Sequence, residues 1–164
     1  LARLMQSIGR RYVALFNRRH ARRGTLWDGR FRTSLLDAVT LLLPAMLHIE
    51  ALPVRAGLAA VASDWAWSSA AHHVGRRRDP LLTDHALYWR LGNTPFDREQ
   101  AHTLALHEVQ QSVEDTRFGE AVMKALALGP AGFVHRMAES LGRSLTSRPR
   151  GRPISRYVNK YVPN

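Results

Sequence analysis

The longest apolar run of the chain, from Ala38 to Leu47, sets the first limit on what the sequence can fold into. This run is far too short to span a bilayer, and Thr40 and Pro44 interrupt it. Asp37 stands directly before the run and predicts the N-cap of a helix that extends to about Ala51. Pro44 is expected to kink that helix or to shift its start.

The composition is that of a globular protein. The chain has 164 residues, of which 45% are hydrophobic and 23% are charged, enough for one ordinary domain with a real core. It contains no cysteine, which excludes disulfides and thiolate metal sites and makes a reducing compartment the default. No basic, apolar and small-residue pattern of a signal peptide is present. These features predict a cytoplasmic protein.

Positive charge is concentrated at the two ends of the chain. The net charge is +11, and residues 1–32 carry nine arginines against the single carboxylate of Asp28. Residues 148–164 carry four arginines and Lys160, whereas the stretch between these ends has a slight negative excess. A solvated surface usually mixes both signs, whereas two arginine blocks favour a polyanionic partner, because each neutralised phosphate releases counterions.

The secondary structure predicted from the pattern is mostly α-helical, with one or two strands. Met5, Ile8, Tyr12 and Phe16 recur at helical spacing, which predicts a first helix with Tyr12 in the core and Gly24 ending the unit. Residues 25–36 are expected to be extended, with three inward side chains: Leu26, Phe31 and Leu35.

The second half of the chain is expected to hold further helices separated by loops. Trp65 and Trp67 predict an aromatic latch on the core, and His72 and His73 are expected in a surface loop. Helices are predicted over 57–62, 97–111 with Asp97 as the cap, 114–127 and 131–141, with loop-rich sequence over 76–96. From Arg143 onward the basic, Pro- and Gly-rich sequence predicts a mobile tail.

Several segments resemble one family in order and spacing. The run His-Ile-Glu-Ala-Leu-Pro-Val-Arg-Ala-Gly-Leu at 48–58 resembles the nucleophile helix of the REP-associated tyrosine transposases, approximately Tyr-Ile-Glu-Leu-Asn-Pro-Val-Arg-Ala-Gly. Similar segments of that family match residues 5–12, 16–20, 24–31, 64–69, 79–82, 88–89, 91–96 and 148–153, so the resemblance covers about residues 2–153.

The resemblance implies an α+β, ferredoxin-like catalytic fold of which this chain is the C-terminal half. It also implies cleavage of single-stranded DNA by a tyrosine, and a divalent metal such as Mg²⁺ held partly by a His-hydrophobic-His pair. In that chemistry the tyrosine oxygen attacks a phosphodiester and retains the strand end covalently, while the metal offsets the developing charge.

The chain departs from this pattern at both parts of the implied active site. His48 stands at the tyrosine position and Leu52 replaces the asparagine. The eight histidines include no His-x-His pair, which the family places on a strand before the helix that opens this sequence. The pair is therefore expected upstream of Leu1, and no intact catalytic residue or metal ligand is predicted here. A histidine repurposed as nucleophile or metal ligand is the alternative interpretation of His48.

DNA contacts are expected from arginines near both ends of the chain. The sequence Arg-Pro-Arg-Gly-Arg-Pro at 148–153 is similar to an AT-hook, whose arginines enter the narrow minor groove of A·T-rich DNA. An ordinary basic tail that binds phosphates without reading sequence remains the alternative. The predicted DNA-binding residues are Arg10, Arg11, Arg18, Arg19, Arg22, Arg23, Arg30, Arg32, Arg148, Arg150 and Arg152.

The sequence therefore predicts three parts: a remnant of the transposase catalytic domain over 1–70, a helical extension over 71–142 and a basic tail over 143–164. The expected function is binding of single-stranded or hairpin DNA, and of A·T-rich duplex through the tail, by a nucleoid-associated bacterial protein without strand-cleavage activity. A non-enzymatic module for hairpin or A·T-rich DNA is the first alternative, and a generic basic RNA-binding protein is the second. No membrane or cofactor is expected for this chain.

Overall fold

A computed structural model describes residues 1–113 and 115–147. In these residues seven α-helices and two short strands occur: α1 (Ala2–Arg19), β1 (Leu35–Leu36), α2 (Ala38–Arg55), α3 (Ala70–His73), α4 (Ala86–Trp89), α5 (Pro95–Gln111), α6 (Arg117–Lys124), β2 (Ala127–Leu128) and α7 (Ala131–Leu141). The mostly helical class with one or two strands is thus confirmed. The predicted DNA contacts at Arg148, Arg150 and Arg152 lie outside the described residues.

Helix α2 is the central element of the fold. Asp37 is its N-cap as predicted, because the carboxylate accepts hydrogen bonds from the backbone N–H and the hydroxyl of Thr40. The helix continues four residues beyond the predicted end at Ala51, and both Pro44 and Pro53 lie inside it. With 18 residues it is long and apolar enough to cross a membrane by length and composition alone, a test that core helices of soluble proteins also pass.

The core is small and lies between α2, α3 and α5. Its centre consists of small side chains with one large one, and the buried residues are Ala51, Ala62, Ala70 and Leu106. Four partly buried side chains pack around them, namely Leu47, Val54, Val74 and Val109. Arg55 near the end of α2 also donates a hydrogen bond to the carbonyl of Val109 in α5, at 2.7 Å. The predicted segments 1–70 and 71–142 therefore share this core.

The two strands form a minimal parallel pair in which Leu35 faces Ala127 and Leu36 faces Leu128. The prediction of an extended run over 25–36 was wrong in extent, since only two residues pair. Of the three expected inward side chains, Phe31 and Leu35 are exposed and Leu26 is half-buried. Leu36 packs more deeply than Leu35, because the pleat places adjacent side chains on opposite faces.

Helix α1 carries none of its side chains into the core. Tyr12, expected to be buried, is 49% exposed and contacts Trp27, with ring centroids 5.8 Å apart. The helix ends at Arg19, and Gly24 follows in a loop where its carbonyl accepts a hydrogen bond from Asn17. The helical spacing of Met5, Ile8, Tyr12 and Phe16 therefore gives the helix correctly but does not give its burial.

The structure also corrects the helix predicted over 57–62, the aromatic latch at Trp67 and the end of the helix predicted over 114–127. Residues 57–62 form no α-helix, and a single 3-10 turn follows at Ala62–Asp64. Trp67 is 87% exposed, so the predicted aromatic latch is wrong for this residue, whereas Trp65 is half-buried. Helix α6 ends at Lys124 because Ala125 adopts a left-handed conformation, which releases Ala127 to pair as β2.

The final helix confirms its predicted bounds of 131 to 141. Gly129 and Pro130 separate it from β2, and Gly142 ends it with φ of 60°, a conformation that favours glycine. Helix α5, in contrast, begins two residues earlier than predicted. Its N-cap is Thr94, and Asp97 acts as the third residue of a capping box.

This capping box gives the first testable prediction. The Thr94 hydroxyl accepts from the Asp97 backbone N–H at 3.1 Å, and the Asp97 carboxylate accepts from the Thr94 N–H at 3.1 Å. Thr94→Ala is expected to lower the free energy of unfolding by about 1 kcal/mol, whereas Thr94→Ser is expected to change it by a few tenths. Urea denaturation measures both, and a Thr94→Ala variant as stable as the native chain would contradict the assignment.

Candidate functional site

A buried polar cluster joins the three helices that surround the core. It consists of Glu50 on α2, His73 on α3 and His102 on α5, with Ser69 at the start of α3. Glu50 is 0% exposed, His73 is 5% exposed and His102 is 1% exposed. A charged side chain in this position requires partners for both of its oxygens, since an unpaired buried carboxylate is strongly unfavourable.

Each oxygen of the Glu50 carboxylate is engaged. Oε1 accepts from the Ser69 hydroxyl at 2.5 Å and lies 2.6 Å from Nδ1 of His73. Oε2 lies 2.7 Å from Nε2 of His102. The facing ring nitrogens therefore donate in this arrangement. A single carboxylate thus connects residues that are 19, 23 and 52 positions away along the chain.

The surrounding side chains hold the two imidazoles in place. The Tyr88 ring lies beside both, with centroids 4.9 Å from His73 and 5.7 Å from His102, and its hydroxyl donates to the His73 carbonyl at 2.8 Å. Burial and the neighbouring Asp84 raise the pKa of the Tyr88 phenol. Asp84 Oδ1 also lies 3.7 Å from Nε2 of His73, so a carboxylate faces the ring nitrogen that points away from Glu50.

Burial alone would raise the pKa of Glu50, but hydrogen bonds from His102, His73 and Ser69 outweigh it and lower the pKa to about 2. The carboxylate is therefore ionised across the physiological range. Among the described residues, this is the group of histidine and carboxylate side chains with the geometry to hold a metal ion: the three donor atoms lie within 4.8 Å of one another.

The cluster corrects an expectation from the sequence. The prediction that His72 and His73 lie in a surface loop was wrong, since both belong to α3, and His73 is buried there. His72 is half-buried, accepts from the backbone N–H of Asp79 at 3.0 Å and pairs with Asp84 at 3.2 Å. No local motif indicates the cluster, because its members converge only through tertiary packing.

His48, at the tyrosine position of the implied active site, lies on another side of α2. It is 7% exposed, and its ring lies 5.0 Å from the Phe118 ring on α6. Glu50 is two positions further along, which rotates it by about 200° around the helix axis. The His48 imidazole and the Glu50 cluster therefore do not form one site.

The eight described arginines predicted to contact DNA are all exposed: Arg10, Arg11, Arg18, Arg19, Arg22, Arg23, Arg30 and Arg32. Among the described residues, no carboxylate lies within 4.0 Å of any of them, although other arginines form ion pairs. Arg32 additionally donates to the carbonyl of Met123 at 2.7 Å. These arginines therefore form no close ion pair among the described residues.

Aromatic side chains lie among these arginines. Tyr12, Phe16 and His20 follow one another along α1, with centroids 6.0 Å and 4.3 Å apart, and Trp27 lies beside Tyr12. The Arg22 guanidinium lies 5.8 Å from the Phe16 ring centroid. We call the group formed by Tyr12, Phe16, His20 and Trp27 with Arg18, Arg19 and Arg22 the arginine–aromatic surface.

The metal implied by the family resemblance does not fit this chain. No two of its eight histidines are separated by a single residue, so the His-hydrophobic-His pair is not supplied by these 164 residues. Glu50, His73 and His102 are a different set of donors, and they lie away from His48. No step of strand cleavage follows from them.

Comparison with known proteins finds no relative. No protein-family model matches the chain. Neither a curated protein nor a solved structure matches it significantly.

The buried carboxylate gives a prediction for stability. Glu50→Gln removes the charge and places amide hydrogens against one of the donors, so it is expected to lower the free energy of unfolding by roughly 3 kcal/mol at pH 7. Glu108→Gln is the matched control, because Glu108 is an exposed glutamate on α5 and should change stability by less than about 0.5 kcal/mol. Denaturation in buffer with a chelator measures both, and equal stabilities would contradict the role of Glu50.

The native chain and Glu50→Gln also differ in how their stability depends on pH. The pKa of Glu50 is about 2 in the folded protein against an ordinary 4.5, so its contribution is fully present above pH 4.5. It is lost as the pH falls towards 2, because the unfolded chain binds the proton first. The stability difference between the native chain and Glu50→Gln should therefore shrink as the pH falls below 4.5. A difference that stays constant down to pH 3 would contradict the lowered pKa.

Proposed function

We propose that this chain is a DNA-binding protein of the REP-associated tyrosine transposase type without strand-cleavage activity of its own. The observation that carries the proposal is the arginine–aromatic surface on α1 and the loop that follows it. The motif resemblance supports the assignment to the transposase family, and the arginine–aromatic surface supports DNA as the ligand. The proposal implies a cytoplasmic, nucleoid-associated location in a bacterium.

The chemistry of the arginine–aromatic surface matches single-stranded nucleic acid. Positive charge attracts the phosphate backbone, and aromatic faces provide stacking platforms for unpaired bases. Tyr12 is about half exposed, and so is Trp27, at 53%. Arg18 and Arg19 line the same groove as Tyr12, Phe16 and His20. Stacking and phosphate contacts can therefore occur together, as binding to a single strand or to the loop of a hairpin requires.

The environment of His48 supports the absence of cleavage. A nucleophile must reach the phosphorus atom of its substrate, whereas His48 is buried against Phe118. Leu52 also stands where the family's nucleophile helix carries an asparagine, so a second polar group of the implied site is replaced. Binding and cleavage thus separate: the surface for the first is exposed, and the residues for the second are covered or replaced.

The arginine–aromatic surface gives a prediction for affinity. A triple variant, Arg18→Gln, Arg19→Gln and Arg22→Gln, should weaken binding to a single-stranded hairpin about tenfold or more at low salt. The slope of log affinity against log salt should fall by about 2, since each lost phosphate contact removes roughly 0.7. Fluorescence anisotropy against a salt series measures both quantities.

A second triple variant provides the control for charge. Arg78→Gln, Arg90→Gln and Arg136→Gln removes the same number of exposed arginines from other parts of the chain. Equal losses in both triple variants would leave only a general effect of net charge and would contradict a defined surface. An RNA hairpin of the same sequence tests the alternative, because tighter binding to RNA than to DNA would favour a generic RNA-binding protein.

Strand cleavage is tested separately. Incubation of the protein with single-stranded hairpin DNA and Mg²⁺ should yield no covalent protein–DNA adduct in a denaturing gel. Peptide mapping of any adduct identifies the attacking residue. An adduct at His48 would overturn the proposal that the chain lacks cleavage activity, and would favour a phosphohistidine intermediate instead.

The tail at 148–153 carries the alternative function of an A·T-rich DNA module. Replacement of Arg150 and Arg152 by glutamine should weaken binding to A·T-rich duplex more than to G·C-rich duplex if the segment enters the minor groove. Electrophoretic mobility shifts with the two duplexes measure the ratio. Equal losses on both would indicate phosphate contact without sequence reading.

A further inference from the structure

We propose that Glu50, His73 and His102 form a binding site for one divalent transition-metal ion of the Zn²⁺ type, which joins helices α2, α3 and α5. The site differs from the metal centre implied by the family resemblance, since that centre needs a His-x-His pair. It is also independent of the arginine–aromatic surface, so either proposal can fail without the other.

The donor set matches the chemistry of the ion. Two imidazole nitrogens and one carboxylate are the ligands that Zn²⁺ and related ions take from proteins, whereas Mg²⁺ and Ca²⁺ prefer oxygen donors alone. The three donor atoms lie within 4.8 Å of one another. Each comes from a different helix, and all three residues are less than a tenth exposed. A water molecule would supply the fourth ligand, as in other Zn²⁺ sites with three protein ligands.

Entry of a metal requires the donor atoms, which now lie within 4.8 Å of one another, to rearrange around a common centre. The two nitrogens lie 2.6 Å and 2.7 Å from the carboxylate oxygens, as in hydrogen bonds. Tetrahedral ligands about 2.0 Å from a metal stand roughly 3.3 Å apart, so each pair must open by about 0.6 Å.

The proton balance is also favourable. In the present arrangement an N–H of each ring faces the carboxylate. To bind a cation, Nδ1 of His73 and Nε2 of His102 must both be unprotonated, so each ring then carries its proton on the other nitrogen, which is Nε2 in His73. Asp84 Oδ1 faces that nitrogen at 3.7 Å and can accept the proton's hydrogen bond after a slight approach. A carboxylate behind a metal-binding histidine is the usual outer-shell arrangement, since it fixes the tautomer.

The charge of Glu50 also favours a bound cation. Glu50 carries a negative charge with no exposed surface, so a cation enclosed by the cluster is attracted in a medium of low dielectric constant. The hydroxyl of Ser69, which donates to Oε1, helps to orient the carboxylate. A bound ion would thus replace two hydrogen bonds with bonds that hold α2, α3 and α5 together.

The test uses the full chain without an affinity tag, stripped with a chelator and then refolded with or without Zn²⁺ or Co²⁺. We expect binding of one ion per chain, a melting temperature that rises with metal concentration, and a Co²⁺ absorption spectrum with imidazole–carboxylate character. Refolding is included because a site this deeply buried fills slowly in the folded protein. If the chain binds no stoichiometric metal, whether the ion is added to the folded protein or during refolding, the proposal is overturned.

Variants assign the ligands. His102→Gln and His73→Gln should each lower the affinity by at least tenfold, whereas His107→Gln and His135→Gln should leave it unchanged, because those histidines are exposed. Unchanged affinity in the first pair would overturn the assignment. If the first pair fails to fold, the native chain still decides, since nitrogen NMR of the imidazoles should show Zn²⁺ shifts at Nδ1 of His73 and Nε2 of His102. Shifts confined to other histidines would contradict the site.

Discussion

The Glu50 carboxylate is the interaction on which the rest of the described fold depends. The buried apolar side chains of the described residues are mostly alanines, with Tyr88, Leu106 and Leu145 as the larger ones. Such small side chains bury little apolar surface, and burial contributes about 25 cal/mol per Å². The hydrogen bonds that reach Glu50 from α3 and α5 therefore specify how these helices meet α2. Polar groups determine the packing here as much as apolar ones do.

The dependence of the helix packing on Glu50 explains how much of the structure could be predicted from the sequence. Features that depend on neighbouring residues could be predicted from the sequence. The cap at Asp37, the Gly129–Pro130 break and the bounds of the last helix all follow from local rules. Features decided over long distances were not. His73 has an unremarkable sequence neighbourhood, and its burial follows from a partner 23 positions earlier.

The same distinction separates the predicted helix α1 from its predicted burial. A periodic apolar stripe indicates a helix, but it does not show that other parts of the protein bury that stripe. Tyr12 consequently forms part of an exposed groove rather than of the core. For the candidate site, the arginines were predictable because charge is visible in the sequence. The aromatic side chains among them required the structure, since only α1 and its following loop bring Trp27 to Tyr12.

The packing of His48 has a consequence for the side chains that this position can hold. Phe118 covers the imidazole, and α6 belongs to the part of the chain that follows the core. A tyrosine at position 48 would be longer than the histidine and would have to displace this aromatic neighbour or turn away from it. Room for a larger ring at this position would thus require repacking of α6 against α2. The size of the side chain at position 48 is therefore set by tertiary packing between two elements that are distant along the chain.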